Sequence, residues 1–332
     1  METRKVQITG GSTFTVSIPK SWATSHDISA GTEIELHPEG DALLLVPQRQ
    51  RNGTEGTLSI TGLTGADLAR AVVTMYVSGF DKIRLETDSI TPEQRRIVRD
   101  ASQSMVGLEV IEETGTYVLL QDLLDSSELS IHNAITRMRL IALTMLEDAV
   151  RSVSETDHRL AQDVVDRDDD VDRLWFMVSR VFRSVLRDPS AAAALGMSRE
   201  GCFDYHSSAR QLERIADHSV KIATLSMDLN DIPDEVSTAI EALQADAREI
   251  IEQAMNALLE EDGDRAVMLA NEARTSITDI DDHTRTIDEL IRDMADPTQA
   301  QLLGLIVDSL SRTADYGGNI AETALQKAAP KP

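Results

Sequence analysis

Pairs of carboxylates one helical turn apart are the residues of this sequence whose spacing suggests chemistry. Glu213 and Asp217 lie four residues apart, as do Asp168 and Asp172. Residues four apart share one face of a helix, and like charges placed there repel unless a cation or a proton offsets them. Carboxylate oxygens suit Mg²⁺, Mn²⁺ or Ca²⁺, and also iron in multinuclear sites. The four residues are therefore candidate ligands of a divalent or iron-type metal ion.

A second interpretation of these carboxylates needs no ligand. Carboxylates four residues apart also arise by chance on the solvated helix faces of an acidic chain, where Arg210 or Arg214 can pair with them. Spacing alone leaves both interpretations open.

Other catalytic chemistry finds little support in the sequence. Glu155 and His158 match the Glu-x-x-His element of di-iron bundles, but they fall at a predicted turn and have no second copy. No Gly-x-Ser-x-Gly elbow is present, and the single cysteine, Cys202, excludes a cysteine-based zinc site within one chain. We therefore predict that the chain is not an enzyme and has no catalytic residues.

The elements that position the carboxylates are predicted to be helices. Beyond residue 125 the apolar residues recur with a period of about 3.6, which is typical of long amphipathic helices. The six predicted helices span 128–154, 158–187, 198–229, 234–261, 264–294 and 298–327. Residues 210–223 align with 308–321, so we interpret the six as two three-helix repeats, at 126–230 and 231–328.

The N-terminal part of the chain has a different pattern. Residues 1–48 predict a small module of short strands, at 5–9, 14–18, 33–37 and 42–46, with a helical turn or two at 21–26. Such a module has little core, and dimerisation would supply the missing burial. Residues 49–57 are polar and are predicted to be a linker.

Residues 58–124 alternate strand and helix patterns and predict a small α/β domain. Strands are expected at 58–60, 82–86, 108–112 and 117–121, and helices at 66–78 and 92–105. The whole chain is thus predicted to be α+β and predominantly α: a six-helix bundle preceded by the β module and the α/β domain.

Charge and hydropathy limit the functions available to the chain. The formal net charge is -25, with 57 acidic against 32 basic residues, so any contact with nucleic acid must be local. So large an excess is typical of a halophilic protein in a salty cytoplasm. No apolar run approaches the roughly 20 residues that span a bilayer, and no signal peptide is evident. We expect a cytoplasmic protein without membrane insertion.

One stretch of the bundle resembles a known family. Leu-Glu-Arg-Ile-Ala-Asp-His at 212–218, followed by Ile-Ala at 222–223, resembles the signature helix of the PhoU family of phosphate-uptake regulators. The resemblance covers about residues 126–328. It implies an action on phosphate uptake through the phosphate transporter and its signalling, with metal bound at acidic motifs on the bundle. Carried over by position, it favours Glu213, Asp217, Asp168 and Asp172 as a metal site.

The second repeat departs from this pattern. Asp281 and Asp315 remain as candidate ligands, whereas Ile277 and Ser311 stand where the first repeat has carboxylates. Fewer anionic oxygens predict weaker binding. We expect one good site and one that is degraded or empty.

The N-terminal module resembles a second family. Thr-Val-Ser-Ile-Pro-Lys at 15–20 and Gly-Thr-Glu-Ile at 31–34 resemble the AbrB/SpoVT swapped-hairpin DNA-binding module, whose fold is an intertwined homodimer. Phosphate contacts from a few cations would position such a module on DNA. The candidate contacts are three cations and two hydroxyl residues: Arg4, Lys5, Lys20, Ser12 and Thr13.

Two functional hypotheses follow from these resemblances. The leading one is a homodimeric, DNA-binding transcriptional regulator of phosphate uptake whose helical domain receives a metal, phosphate-status or protein signal. The alternative is a protein-interaction adaptor that docks on the phosphate transporter ATPase and uses the β module only to dimerise, an interpretation favoured by the small number of cations. A metal-dependent enzyme is a third class, for which the sequence supplies no general base.

Overall fold

The computed structural model describes residues 2–39, 41–47, 53–124 and 130–330. The chain divides into two compact units, Met1–Gly53 and Thr54–Pro332. The predicted linker 49–57 falls partly outside the described residues, and its last three residues are strand.

The first unit consists of two hairpins and a short helix. Strands β1 (Gln7–Thr9) and β2 (Thr13–Thr15) pair antiparallel, helix α1 spans Lys20–Ser25, and β3 (Ile34–Glu39) pairs antiparallel with β4 (Ala42–Pro47). The first two strands are shorter than predicted. No described residue of this unit is buried, which agrees with a module too small to form its own core.

The α/β domain begins the second unit. Its elements are β5 (Glu55–Ser59), α2 (Gly65–Val77), β6 (Lys82–Glu86), α3 (Pro92–Gln103), β7 (Leu108–Glu113) and β8 (Tyr117–Asp122). The sheet order is β5-β6-β8-β7, with β5 parallel to β6 and the other pairs antiparallel. Thr91 and Gln94 form a reciprocal capping box at the start of α3.

The rest of the second unit is the helical bundle. Its helices are α4 (Ile131–Ser154), α5 (His158–Asp166), α6 (Asp168–Arg187), α7 (Pro189–Ala194), α8 (Arg199–Ser226), α9 (Asp234–Leu259), α10 (Gly263–Arg292) and α11 (Pro297–Ala328). A single apolar core of aliphatic residues and alanine runs through both repeats. The predicted fold class is confirmed.

Two features of the first repeat differ from the predicted helices. The segment 158–187 is interrupted at Arg167, which ends α5 and precedes α6. A short helix, α7, follows Asp188, whose side chain accepts a hydrogen bond from the Ser190 backbone N–H. Helix α6 therefore ends at Arg187, and Pro189 starts a new helix, as its fixed φ favours.

A buried ion pair joins the α/β domain to the bundle. Arg180 of α6 donates hydrogen bonds to the carbonyl oxygens of Tyr76 and Phe80, at 2.8 and 2.9 Å, and pairs with Asp122 at 2.7 Å. The side chains of Arg180 and Asp122 are only 9 % and 8 % exposed. Arg180 also pairs with the more exposed Asp81 at 3.3 Å. Removing Arg180 would leave the buried Asp122 without a cation, so this contact fixes α6 against the domain.

Candidate functional site

Four carboxylates lie between α6 and α8 of the first repeat, and we call them the first-repeat cluster. Asp168 is the first residue of α6 and Asp172 lies one turn later, while Glu213 and Asp217 lie one turn apart in the middle of α8. The break at Arg167 places Asp168 at a helix N-terminus, where backbone N–H groups favour a negative charge. The structure therefore brings together the four residues predicted for the first repeat.

The carboxylates of the first-repeat cluster interact electrostatically; Asp168, Asp172 and Glu213 are partly or fully buried, whereas Asp217 is exposed at the edge of the cluster. Burial, together with the charges of neighbouring carboxylates, raises the pKa of Asp168 to about 6 and that of Asp172 to about 7. Burial and the charge of Asp217 raise the pKa of Glu213 to about 7, although Arg210 opposes the shift. The pKa of Asp217 is also raised by burial, against the charges of Arg210 and Arg214. Without a cation, the cluster takes up protons near neutral pH.

Glu213 has the least accessible carboxylate of the cluster. The residue is 8 % exposed, and its Oε1 accepts a hydrogen bond from Arg210 at 2.6 Å. Its Oε2 is buried and has no hydrogen-bond partner. An unpaired buried carboxylate oxygen is unfavourable, and a cation or a proton would satisfy it.

The carboxylate oxygens of the cluster suit a hard cation, but the side chains are too far apart to coordinate one together. Across the described ranges, no group of three or more acidic, histidine or cysteine side chains is close enough to hold a metal ion. Metal binding would therefore require the carboxylates to move closer together. In the present arrangement Arg210 neutralises part of the negative charge. This pairing was expected if the carboxylates bind no ligand.

Aromatic residues beside the cluster hold Arg210, a role that the sequence did not reveal. The guanidinium carbon of Arg210 lies 5.4 Å from the centre of the Trp175 ring, and that ring lies 5.0 Å from the ring of His206. Burial, with the charges of Arg183 and Arg210, lowers the pKa of His206 to about 4. His206 is therefore a neutral packing residue. The helical spacing of Trp175 from Asp168 and Asp172 was the available signal.

The second repeat does not reproduce the cluster. Asp281 and Asp315 are both exposed, and Asp315 lies 3.6 Å from Arg312 as an ion pair within α11. Ile277 occupies the position equivalent to Asp168 and packs against Gly318, where an added Cβ would lie 2.5 Å from its Cδ1. An apolar contact has thus replaced the carboxylate.

A different acidic hollow lies between α9 and α10 of the second repeat. It is lined by Asp246, Glu249, Ser276, Asp279, Asp282 and His283. His283 Nδ1 contacts Asp246 Oδ2 on one side of the hollow. Neither Asp281 nor Asp315 lines this hollow.

The candidate DNA contacts all lie on the accessible surface of the first unit. Arg4 and Lys5 precede β1, Ser12 and Thr13 lie at the turn into β2, and Lys20 starts α1. Arg4 pairs with Glu2 at 2.8 Å. Lys5 and Lys20 have no ion-pair partner within the described part of the chain, so their charges are available to a partner.

These features define a helical-bundle protein that carries an acidic cluster and a separate N-terminal β module. Residues 135–226 match the family model of the PhoU domain, and residues 7–53 match that of the antidote-toxin recognition domain of MazE, a bacterial antitoxin. These matches fall in the two parts of the chain for which the sequence predicted the resemblances, and they confirm both resemblances. No curated protein sequence matches the chain.

Solved structures of two bacterial PhoU proteins are among those similar to this chain. PhoU from Pseudomonas aeruginosa is 22 % identical with a TM-score of 0.52, and the match covers 60 % of this chain and 96 % of that one. The phosphate transport system regulatory protein PhoU from Streptococcus pneumoniae is 17 % identical with a TM-score of 0.45, over 59 % and 91 % of the two chains. The first match confirms the fold of the helical part.

The comparisons also bear on activity and on membrane insertion. The match to the PhoU family model agrees with the prediction that this chain is not an enzyme. Within the described residues, no helix combines the length and the apolar character that crossing a bilayer requires.

Proposed function

We propose that this chain is a cytoplasmic, DNA-binding transcriptional regulator of phosphate uptake that acts as a homodimer. The observation that carries the proposal is the presence, in one chain, of a MazE-type module at 7–53 and a PhoU domain at 135–226. The module would bind operator DNA, and the helical domain would receive the phosphate signal.

Dimerisation through the N-terminal module is supported by its exposed apolar side chains. Ile8, Phe14 and Leu36 are 65 %, 72 % and 58 % exposed, although they lie in strands. Large apolar side chains exposed together favour burial against a second copy. The two hairpins would then share one core across the dimer.

DNA binding is supported by the cations of this module. Lys5 and Lys20 of each protomer would contact phosphates, Arg4 would exchange Glu2 for a phosphate, and Ser12 and Thr13 would add hydrogen bonds. The large negative charge elsewhere in the chain repels DNA. Binding would therefore depend on a few contacts and on salt.

A fluorescence-anisotropy titration of the full chain with promoter DNA of phosphate-transport genes tests DNA binding. Replacing Lys5 and Lys20 by Ala removes four cations from a dimer, and should make the slope of log K against log salt shallower by about 3.6. Lys221→Ala, on the bundle, is the control and should leave the slope unchanged. If the chain does not bind this DNA, or if the double variant keeps the parent slope, the module serves only to dimerise and the adaptor hypothesis is favoured.

Metal binding by the first-repeat cluster is the second part of the proposal. The donors would be Glu213, Asp217, Asp168 and Asp172, and the unpaired Oε2 of Glu213 supports the assignment. The ion would be divalent or of the iron type, because all four donors are carboxylates. Asp281 and Asp315 would make a weaker or empty second site.

The position of α6 supports a role in relaying a signal. This helix carries Asp168 and Asp172 in its first two turns, and Arg180, which anchors the α/β domain, two turns further on. Drawing the carboxylates together around a cation would act on the helix that the domain rests against. A phosphate-status signal at the cluster could thus reach the rest of the molecule.

Calorimetric titration of Mn²⁺ into the chelator-treated full chain tests the metal site. We expect one ion per chain, and at least about a tenfold loss of affinity in Glu213→Gln, because the least accessible donor loses its charge. Asp315→Asn should retain the parent affinity. Equal loss in both variants, or no binding by the parent, would contradict a site at this cluster.

A further inference from the structure

Arg210 shares one face of α8 with two carboxylates of the first-repeat cluster. It precedes Glu213 by three residues and Asp217 by seven, and positions so spaced lie along one side of a helix. Arg210 donates a hydrogen bond to Glu213 Oε1 at 2.6 Å, and its side chain is 42 % exposed. No other cation in the described ranges forms an ion pair with the cluster. Arg210 is therefore the counter-cation of these carboxylates in the present arrangement.

The charge of Arg210 also reaches carboxylates other than Glu213. Desolvation raises the pKa of Asp172, Glu213 and Asp217, and the charge of Arg210 opposes the rise at all three. Among these three, the charge of Arg214 opposes it at Asp217 alone. Arg210 thus supplies, across most of the cluster, the kind of stabilisation that a bound cation would supply.

Glu213 is the residue for which Arg210 and a metal ion would compete. Its Oε1 accepts the hydrogen bond from Arg210, whereas its Oε2 is buried and has no partner. Coordination through Oε2 would bring a second positive charge to the same carboxylate, at a residue that is only 8 % exposed. Like charges this close repel strongly where water is largely excluded. The Arg210 contact and metal coordination at Glu213 therefore oppose each other.

Trp175 gives Arg210 a second binding surface that does not depend on Glu213. The guanidinium carbon lies 5.4 Å from the centre of the Trp175 ring, a distance at which a cation is attracted to the face of an indole. The Trp175 ring also packs against His206, with 5.0 Å between the ring centres. Arg210 can therefore leave the carboxylate and keep its contact with the aromatic ring.

We propose that Arg210 is a displaceable counter-cation, which competes with a metal ion for Glu213 and thereby sets the metal concentration at which the first-repeat cluster binds. On binding, Glu213 exchanges the guanidinium group for the ion, and the guanidinium group stays against Trp175. The proposal rests on the metal site proposed above, and it adds to that site a residue that ligates no metal. It also gives a physical reason for the wide spacing of the carboxylates, because the side chain of Glu213 is held by Arg210.

A purely structural role for Arg210 predicts the opposite change in metal affinity. If Arg210 only positioned Glu213 for coordination, its loss would weaken metal binding. If Arg210 competes, its loss removes a contact that must otherwise be broken, and binding becomes tighter. The metal-free protein should respond in the other direction, because carboxylates without a counter-cation repel one another. Competition therefore predicts tighter metal binding together with lower stability of the metal-free protein.

Calorimetric titration of Mn²⁺ into the chelator-treated full chain at pH 8 measures the change in affinity. The test variant is Arg210→Met, which keeps an unbranched apolar side chain against Trp175 but has no charge. We expect its dissociation constant to be about tenfold lower than that of the parent, because a hydrogen bond to a charged group no longer has to break. Arg210→Lys keeps the charge but loses the planar guanidinium group, and should give an intermediate value.

Arg214→Met is the matched control. Arg214 is another partly buried arginine of α8 beside an aromatic ring, with its guanidinium carbon 5.6 Å from the centre of the Tyr316 ring. Its charge reaches Asp217, but it forms no ion pair with the cluster in the part of the chain that the structure describes. The substitution therefore removes the same charge without removing the contact, and should change the dissociation constant by less than about threefold.

Chemical denaturation gives the second measurement. In chelator at pH 8, Arg210→Met should unfold at a lower denaturant concentration than the parent. Mn²⁺ should then raise the midpoint of Arg210→Met by more than it raises that of the parent, because tighter binding stabilises the folded state more. Circular dichroism checks that each variant is folded, and Arg210→Lys carries the test if Arg210→Met is not.

The outcomes separate the competition from the metal site itself. If the parent binds Mn²⁺ and Arg210→Met binds it no more tightly than Arg214→Met does, competition at Glu213 is overturned and the metal site stands. If neither the parent nor Arg210→Met binds Mn²⁺, both proposals are overturned.

Discussion

The two aligned repeats of the bundle use equivalent helix positions in opposite ways. In the first repeat, α6 and α8 hold four partly desolvated carboxylates, and Glu213 keeps an unpaired buried oxygen. In the second repeat, Ile277 packs against Gly318. The first arrangement requires a proton or a cation, whereas the second requires nothing beyond its own packing. With two repeats, the first can carry an unfavourable cluster of charges while the second contributes apolar packing at the equivalent position.

The largest loss of stability should come from substituting a glycine that allows close helix packing in the second repeat only. Gly317 of α11 stands where the first repeat has Ser219, and an added Cβ would lie 2.9 Å from Ile250 Cγ2 and 3.2 Å from the backbone nitrogen of Ile251. Because the backbone of α9 cannot yield, Gly317→Ala should lower the free energy of unfolding by about 2–3 kcal/mol in chemical denaturation.

The control for this substitution lies in the same helix. Gly304 has no atom within 4 Å of an added Cβ, so Gly304→Ala should stabilise the protein by up to about 1 kcal/mol through helix propensity. If both substitutions were neutral, α9 and α11 would not pack as closely as the comparison of repeats requires.

A smaller effect is expected where only a side chain must yield. Gly318→Val should destabilise by about 1–2 kcal/mol, because the new side chain meets the flexible end of Ile277. Ile277→Ala in the same chain should recover part of this loss in a double-mutant cycle. If the effects of the two substitutions were additive, Ile277 and residue 318 would not interact. The apolar contact would then not have replaced the carboxylate.

The sequence was sufficient for the fold because the bundle obeys local rules. Apolar periodicity placed the long helices, and a capping residue such as Asp296 marks where α11 starts. The break at Arg167 was missed because no glycine or proline marks it. Helix α7 was not predicted either. Asp188 and Pro189 can end one helix or cap and start another, so their types alone do not decide between the two.

The candidate site was predicted less completely, because burial and pairing depend on tertiary structure. Spacing placed Glu213 and Asp217 on one face, but not the depth at which Glu213 lies or the contact of Arg210 with Trp175. Likewise, Arg180 looked like one of many basic residues on an amphipathic helix. Its two carbonyl partners come from a turn about 100 residues away, as the hydrogen-bond separations of 104 and 100 residues show, so no local pattern announces it.

The pH dependence of the free energy of unfolding should distinguish the two repeats, with an effect of about 1 kcal/mol from the first. The folded protein holds a proton on Glu213 up to about pH 7, whereas an unfolded glutamate releases it near 4.5. Stability from this group is therefore complete at low pH and is lost as the pH rises toward 7 and above. In chelator, the full chain should lose about 1 kcal/mol between pH 5 and pH 8, after allowance for solvent screening.

Two variants check this origin of the pH dependence. Glu213→Gln cannot ionise, so its free energy of unfolding should fall less between these pH values than that of the parent. Mn²⁺ should remove the loss in the parent if the cluster binds it. A parent whose stability rises over this range would show that the carboxylates are not desolvated as described.

The smallest effects should come from the exposed carboxylates of the second repeat. Asp281 and Asp315 lie in water, and the ion pair of Asp315 with Arg312 joins two exposed side chains. Exposed pairs of this kind contribute little, so Asp281→Asn and Asp315→Asn should each change the free energy of unfolding by less than about 0.5 kcal/mol at pH 7. The pH dependence of the free energy of unfolding should be the same in these two variants as in the parent. A large change in either variant would mean that the second repeat still holds a coupled acidic site, and the contrast with the first repeat would then be one of degree.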